Sequence, residues 1–139
     1  MSDLTELVTG LPCFKAPSNI TPLGGGITNT NVTVEDEDCK YVVRIGSDIA
    51  EHGVMRWNEL ALSQAAYKLG ISPKVIYHKT GVLVLEFIDA QTLNEAAVRE
   101  PGNLKRIINL VAKTHRGIGK CLHSPILTFW PFQINQTYM

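Results

Sequence analysis

The sequence has few cysteines, and no two of them are neighbours. Cys13, Cys39 and Cys121 are odd in number and form no Cys-x-x-Cys pair. That spacing argues against a zinc knuckle or a disulfide framework and suits reduced thiols. Long apolar runs are also missing, and nothing approaches the ~18 residues that a membrane span needs. The opening residues, Met1-Ser2-Asp3-Leu4-Thr5-Glu6, are acidic and lack the basic start of a signal peptide. A cytoplasmic protein without a membrane span is the expectation. Acid is absent after Glu100, although Lys105, Arg106, Lys113, Arg116 and Lys120 follow. These charges are not interleaved with aromatics, so they read as a solvated face or a face toward acidic protein rather than a nucleic-acid site.

What is present is enough for a folded domain: 139 residues, of which 45% are apolar, can bury a real core. The chain is organised around residues 23–59. Leu23-Gly24-Gly25-Gly26-Ile27-Thr28-Asn29-Thr30-Asn31 is a glycine-rich turn. Glycines let the backbone take positive φ and approach a ligand closely, and free N–H groups in such a turn suit a phosphate. A strand at Asn31–Glu35, an acidic turn and a return strand at Lys40–Ile45 follow. Alternation in the return strand puts Arg44 on the face opposite Tyr41, Val43 and Ile45. A permanent cation on a strand beside a glycine turn is a phosphate-handling arrangement.

A helix is expected over about 48–69, capped by Ser47 or Asp48 and stopped by Gly70 and Pro73. Met55, Leu62, Ala65, Ala66 and Leu69 fall on one arc, with Glu59 at its margin and Arg56, Gln64 and Lys68 on the other side. An acid at the edge of a buried stripe wants a cation, and Arg44 is the candidate.

Elsewhere, residues 4–14 suggest a short helix ending near Gly10 and Pro12. Pro17, Ser18-Asn19 and Pro22 suggest an extended entry to the first strand, with Ile20, Leu23, Val32 and Val34 inward. Lys74–His78 and Val82–Ile88 read as strands, the second continuously apolar and therefore interior to the sheet. Thr92-x-x-Glu95 resembles a capping box opening a short helix to about Arg99. Asn103–His115 reads as a helix with Leu104, Ile107, Ile108, Val111, Ala112 and His115 on one face. His115 there reads as a hydrogen-bonded core residue, and regular structure is expected to fade from Arg116 on. Phe129, Trp130, Phe132 and Tyr138 are large aromatics expected to pack on something.

Several motifs in order resemble the choline/ethanolamine kinase family, within the aminoglycoside-phosphotransferase-like group of protein-kinase-like fold. They are Gly24–Asn31, Tyr41-Val42-Val43-Arg44-Ile45, Arg56-Trp57-Asn58-Glu59, Leu69-Gly70-Ile71-Ser72-Pro73-Lys74-Val75, Gly81–Ile88 and Ala112-Lys113-Thr114-His115. The resemblance implies an α+β fold: an amino-terminal kinase lobe over residues 1–88, an antiparallel sheet plus one long helix. Residues 89–139 would be the hinge and the first helices of a second, helical lobe. It implies ATP as a cofactor with Mg²⁺, and phosphoryl transfer to an alcohol such as choline or ethanolamine. Thiamine, an aminoglycoside or a sugar are alternative acceptors.

Carried over by position, Gly24, Gly25, Gly26, Thr28, Asn29 and Asn31 would cover ATP phosphates, and Arg44 would contact them. Glu59 would pair with Arg44, and Glu86, Phe87 and Ile88 would line the adenine pocket. One departure is sharp. The family's His-x-Asp-x-x-x-x-Asn loop and later magnesium-binding Asp supply the proton acceptor and the metal ligands. Here His52, His78, His115 and His123 are followed two positions on by Val54, Thr80, Gly117 and Pro125, and no Asp follows Asp89. The chain is thus expected to be a truncated kinase, inactive by itself, that self-associates or pairs with a complementing second-lobe chain. A different class is also open: a non-catalytic module that binds a nucleotide or a partner.

Overall fold

The computed structural model describes residues 2–24 and 29–128. Gly25, Gly26 and Thr28 of the expected phosphate turn, and Phe129, Trp130, Phe132 and Tyr138, lie outside the described residues. The fold is α+β. Helix α1 (Ser2–Thr9) leads into strands β1 (Pro17–Leu23), β2 (Thr30–Asp36) and β3 (Cys39–Ile45). Helix α2 (Arg56–Lys68) follows, then β4 (Val75–Lys79), β5 (Val82–Glu86), α3 (Glu95–Arg99) and α4 (Pro101–Cys121). All five strands make one antiparallel sheet in the order β1-β2-β3-β5-β4.

Period-two alternation divides the sheet into two faces. Val32, Val34, Val43, Val82 and Val84 turn to one side and join Val8, Leu11 and Phe14 in the main core. Helix α1 and the segment after it therefore cover that face. The other face carries Asn31, Arg44, Leu83 and His78, which the ladder sets in one row across four strands. As expected, β5 is interior, with neighbours on both sides and Val82 to Leu85 all buried.

Four local expectations are corrected. Pro17–Leu23 is not merely an entry but the edge strand β1, the one position in a sheet where Pro17 and Pro22 withhold no needed donor. Within it Leu23 is 41% exposed rather than inward. Helix α2 begins at Arg56, not near Asp48. Gly53 takes φ +65°, and Ile49 and Val54 bond to each other across a tight turn, so the chain cannot wind continuously from 48 to 69. Asp48 still caps the helix from outside it, accepting the Arg56 N–H at 2.6 Å. The cap of α3 is Asn94, which accepts the Ala97 N–H at 2.8 Å, rather than Thr92.

The fourth correction is α4, which runs through Cys121 instead of ending at His115. Pro101 sits at its first turn, where a missing N–H costs nothing. Gly117 lies against Leu69: a Cβ there would come within 2.5 Å of Leu69 Cδ1. That close approach seats α4 on the end of α2 and carries the helix past Arg116. His115 is exposed, as are Leu104, Ile108 and Val111, so the apolar stripe of α4 looks outward among the described residues. A histidine on that stripe is not in a core.

Gly70 closes α2 at φ +72°, with Ile71 N–H bonded to Ala66 and Gly70 N–H to Tyr67. This is the paired Schellman closure expected of a glycine just past a helix end. At the far end of β2, Asp36 is only 6% exposed. Its carboxylate accepts the Lys15 N–H at 3.0 Å and the Ala16 N–H at 2.6 Å, fixing the connection between α1 and β1.

Candidate functional site

The site is built on the Arg44 face. In β2–β3 pairing, Asn31 is the direct partner of Arg44, so both side chains stand together on one face. Helix α2 delivers Glu59 to the same place: Glu59 Oε1 accepts from Arg44 Nη1 at 2.6 Å. The expected strand–helix pair is present, and it is partly buried, with Arg44 34% and Glu59 19% exposed.

A second arginine completes the cluster. Arg56 Nη1 donates to Glu59 Oε2 at 2.8 Å, and Arg56 Nε donates to the Ser47 carbonyl at 2.9 Å. Its side chain is 15% exposed, so it does not lie on the solvent side of α2 with Gln64 and Lys68. The i,i+3 spacing of Arg56 and Glu59 was the available signal. Burial by itself would raise the Glu59 carboxyl, but hydrogen bonds from Arg44 and Arg56, with their charges, outweigh it and hold the group below its ordinary range.

Gly46 ends β3 beside the cluster. A Cβ there would fall 2.7 Å from Asn29 Oδ1 and 2.8 Å from Arg56 Nη2, so only glycine leaves those two groups where they are. Asn29, Asn31 and Arg44 are thereby gathered at one end of the β2–β3 pair. Gly24 stands at the end of β1, beside Leu23, which pairs with Asn31. Among the described residues, Asn29 Oδ1, Asn31 Oδ1 and Arg44 Nε are buried without a hydrogen-bond partner. Next to them a cavity of about 520 Å³ is walled by Arg44, Arg56, Glu59, Trp57, Lys79 and Leu83, among others.

Glu86, Phe87 and Ile88 lie elsewhere, where β5 leaves the sheet. Glu86 N–H bonds to the Lys74 carbonyl at 2.9 Å and Phe87 N–H to the Lys40 carbonyl at 3.1 Å. Lys40 Nζ also stands 4.7 Å from the centre of the Phe87 ring. Phe87 is thus anchored to β3, whereas Glu86 and Ile88 on either side of it are exposed, Ile88 to 55%.

A Plasmodium vivax ethanolamine kinase superposes with a TM-score of 0.60 at 25% identity, over 71% of this chain. The chain has a kinase-like fold. It resembles the amino-terminal lobe of that enzyme and spans 26% of its length. No protein-family model matches the chain, and no curated protein does.

The cluster fits an anion. Two guanidinium groups face one carboxylate, which leaves one positive charge, and Arg44 retains a buried N–H without a partner among the described residues. Metal is a different matter. Among the described residues no three His, Cys, Asp or Glu side chains gather closely enough to hold an ion. No helix among the described residues is long and apolar enough to cross a membrane.

Proposed function

We propose that this chain carries the nucleotide-binding half of an ATP-dependent small-molecule kinase of choline/ethanolamine kinase type. The observation that carries the reading is the Arg44–Glu59 pair, 2.6 Å long, on a sheet that superposes on an ethanolamine kinase. Arg44 contacts the nucleotide phosphates through the N–H groups that Glu59 leaves open, in the planar fork that suits phosphate oxygens. Asn31, its cross-strand neighbour, and Asn29 stand beside the same oxygens. A half-turn of either amide presents Nδ2 as a donor in place of the unpartnered Oδ1. By the family resemblance, Gly24, Gly25, Gly26 and Thr28 would cover the phosphates. Glu86, Phe87 and Ile88 border the adenine through backbone groups, with Ile88 N–H outside the ladder bonds that occupy Glu86 and Phe87.

ATP, when bound, supplies the transferable phosphoryl group. What these residues contribute is positioning and charge neutralisation, the major part of catalysis in phosphoryl transfer. The acceptor is an alcohol, with an amino alcohol favoured by the ethanolamine kinase likeness. The 139 residues contain no His-x-Asp-x-x-x-x-Asn, so they hold a nucleotide without activating an acceptor hydroxyl. Mg²⁺ would reach the site with the nucleotide phosphates.

The test is calorimetric titration with ADP. Binding to the wild-type chain, lost in Arg44→Met and retained in Lys120→Met on the distant helix α4, supports the reading. Equal affinity in wild type and Arg44→Met overturns it. A second reading draws on α4, where Leu104, Ile108 and Val111 are exposed beside a run of basic residues. On that reading the chain is a non-catalytic module that docks an acidic partner chain. A chain that binds no ADP but forms a stoichiometric complex sensitive to Ile108→Glu would favour it.

A further inference from the structure

Glu59 has two carboxylate oxygens, and the fold assigns each to a different arginine. Oε1 takes Arg44 at 2.6 Å and Oε2 takes Arg56 at 2.8 Å. The two arginines are held very differently. Arg56 is tied through Nε to the Ser47 carbonyl at 2.9 Å, and through its backbone N–H to Asp48 at 2.6 Å. Its side chain is 15% exposed, against 34% for Arg44. Arg44 Nε is buried and has no partner among the described residues. One arginine is thus locked into the connection between β3 and α2, and the other is left with an N–H to offer.

The asymmetry bears on what happens when Arg44 turns toward an anion. A half-buried carboxylate held by one cation would be stranded when that cation shifts, and unpaired buried charge is strongly unfavourable. A second, anchored cation removes that penalty. It also fixes the carboxylate plane, since one oxygen is pinned and the other must point at the strand. Gly46 leaves the room that the Arg56 guanidinium occupies: a Cβ at that position would meet Arg56 Nη2 at 2.8 Å.

We propose that Arg56 is a positioning residue that pins Glu59 through Oε2, so that Oε1 aims at Arg44 and Arg44 can shift onto a phosphate without leaving the acid unpaired. The last clause rests on the nucleotide reading above; the pinning of Glu59 does not. Among the described residues, the charged groups that face Glu59 are Arg44 from β3 and Arg56 from its own helix. Asp48 of the connection and His78 and Lys79 of β4 share the adjoining cavity. With both arginines in place, the carboxyl stays below its ordinary range.

The test follows the Glu59 carboxyl carbon by NMR on the 139-residue chain with ¹³C-labelled glutamate. Glu59→Gln identifies the signal. Wild type, Arg56→Gln and Arg56→Lys are titrated with acid, without and with saturating ADP. In Arg56→Gln the Glu59 midpoint moves up, and ADP moves it up further, because Arg44 is then shared with phosphate. In wild type ADP moves it little. ADP affinity at neutral pH falls about tenfold in Arg56→Gln, equivalent to about 1.4 kcal/mol. Arg56→Lys recovers part of it, because an ammonium reaches Glu59 but lacks the fork that also holds Ser47. Arg56→Lys also supplies the comparison if Arg56→Gln does not fold.

An unmoved Glu59 midpoint in Arg56→Gln overturns the proposal, and so does an ADP response equal in wild type and variant. If wild type binds no ADP, the nucleotide reading falls. The titration without ADP still decides whether Arg56 pins Glu59.

Discussion

Asn31 and Arg44 are direct partners across the β2–β3 ladder, and that pairing fixes the side of the sheet on which the site forms. A one-residue slip would turn Arg44 into the valine core and Val43 toward Glu59. The register is specified because Val32, Val34 and Val43 are fully buried on the opposite face. The apolar packing of one face thus places the polar chemistry of the other.

Arg44→Met should destabilise the chain moderately. Removing one partner of a fully buried pair costs ~3–5 kcal/mol. Here Arg44 keeps a third of its side chain in water and Arg56 still pairs with Glu59, so roughly 1–2 kcal/mol is expected. Urea unfolding measures it. A loss as large as that of Glu59→Leu, which strands both arginines, would show that Arg56 gives no compensation.

Acid should weaken the fold partly through Glu59. Its carboxyl is held below the ordinary value of about 4.3. The folded state therefore binds that proton less readily than the unfolded chain. The resulting stabilisation is fully present above the unfolded value and is lost as pH falls through the lower folded value. Glu59→Gln should flatten this part of the acid limb while lowering stability at neutral pH. Chemical unfolding between about pH 2 and pH 7 tests this, and a limb of unchanged slope in Glu59→Gln would count against it.

Gly46→Ala should disturb the site more than the fold. The added methyl meets Asn29 Oδ1 at 2.7 Å and Arg56 Nη2 at 2.8 Å, both ends of side chains that can move. Stability should fall by about 1 kcal/mol, the low end for overpacking. ADP affinity should fall more steeply, because Arg56 and Asn29 are displaced from the cluster. Parallel calorimetry and unfolding on the same variant separate the two effects.

Asp36→Ala should do the reverse. It removes the acceptor for the Lys15 and Ala16 N–H groups at the end of β2 remote from Asn31. Hydrogen bonds to charged groups are worth ~1.5–3 kcal/mol, so a loss of about 2–3 kcal/mol is expected. ADP affinity per folded molecule should hold. A variant with wild-type stability would show that solvent replaces Asp36 freely.

The exposed stripe of α4 should drive association. Leu104, Ile108 and Val111 are 45%, 56% and 45% exposed on one helix face. Light scattering should show concentration-dependent growth in wild type and a smaller species in Ile108→Glu/Val111→Glu. Monodisperse monomers of both proteins across the same range would contradict this.

The sequence by itself determined the elements whose cause is local. Period-two alternation in Tyr41–Ile45 assigned Arg44 to the face away from the core, because strand geometry leaves no choice. The apolar run Val82–Leu85 marked an interior strand, since only two neighbours and two covered faces tolerate it. Gly70 marked a helix end because its φ of +72° is open to glycine at little cost. Glu59 at the edge of an apolar arc, with Arg44 on a strand, carried the pair that the structure brings together. The tertiary structure alone decided the rest, because the causes lie far apart in the chain. Helix α2 starts at Arg56 because Ile49 and Val54 close a turn around Gly53. Helix α4 continues past Arg116 because Gly117 fits against Leu69. Arg56 belongs to the site although a helical wheel places it away from the apolar arc. A wheel records apolarity, whereas the position of Arg56 is set by Glu59, Ser47 and the space that Gly46 leaves open.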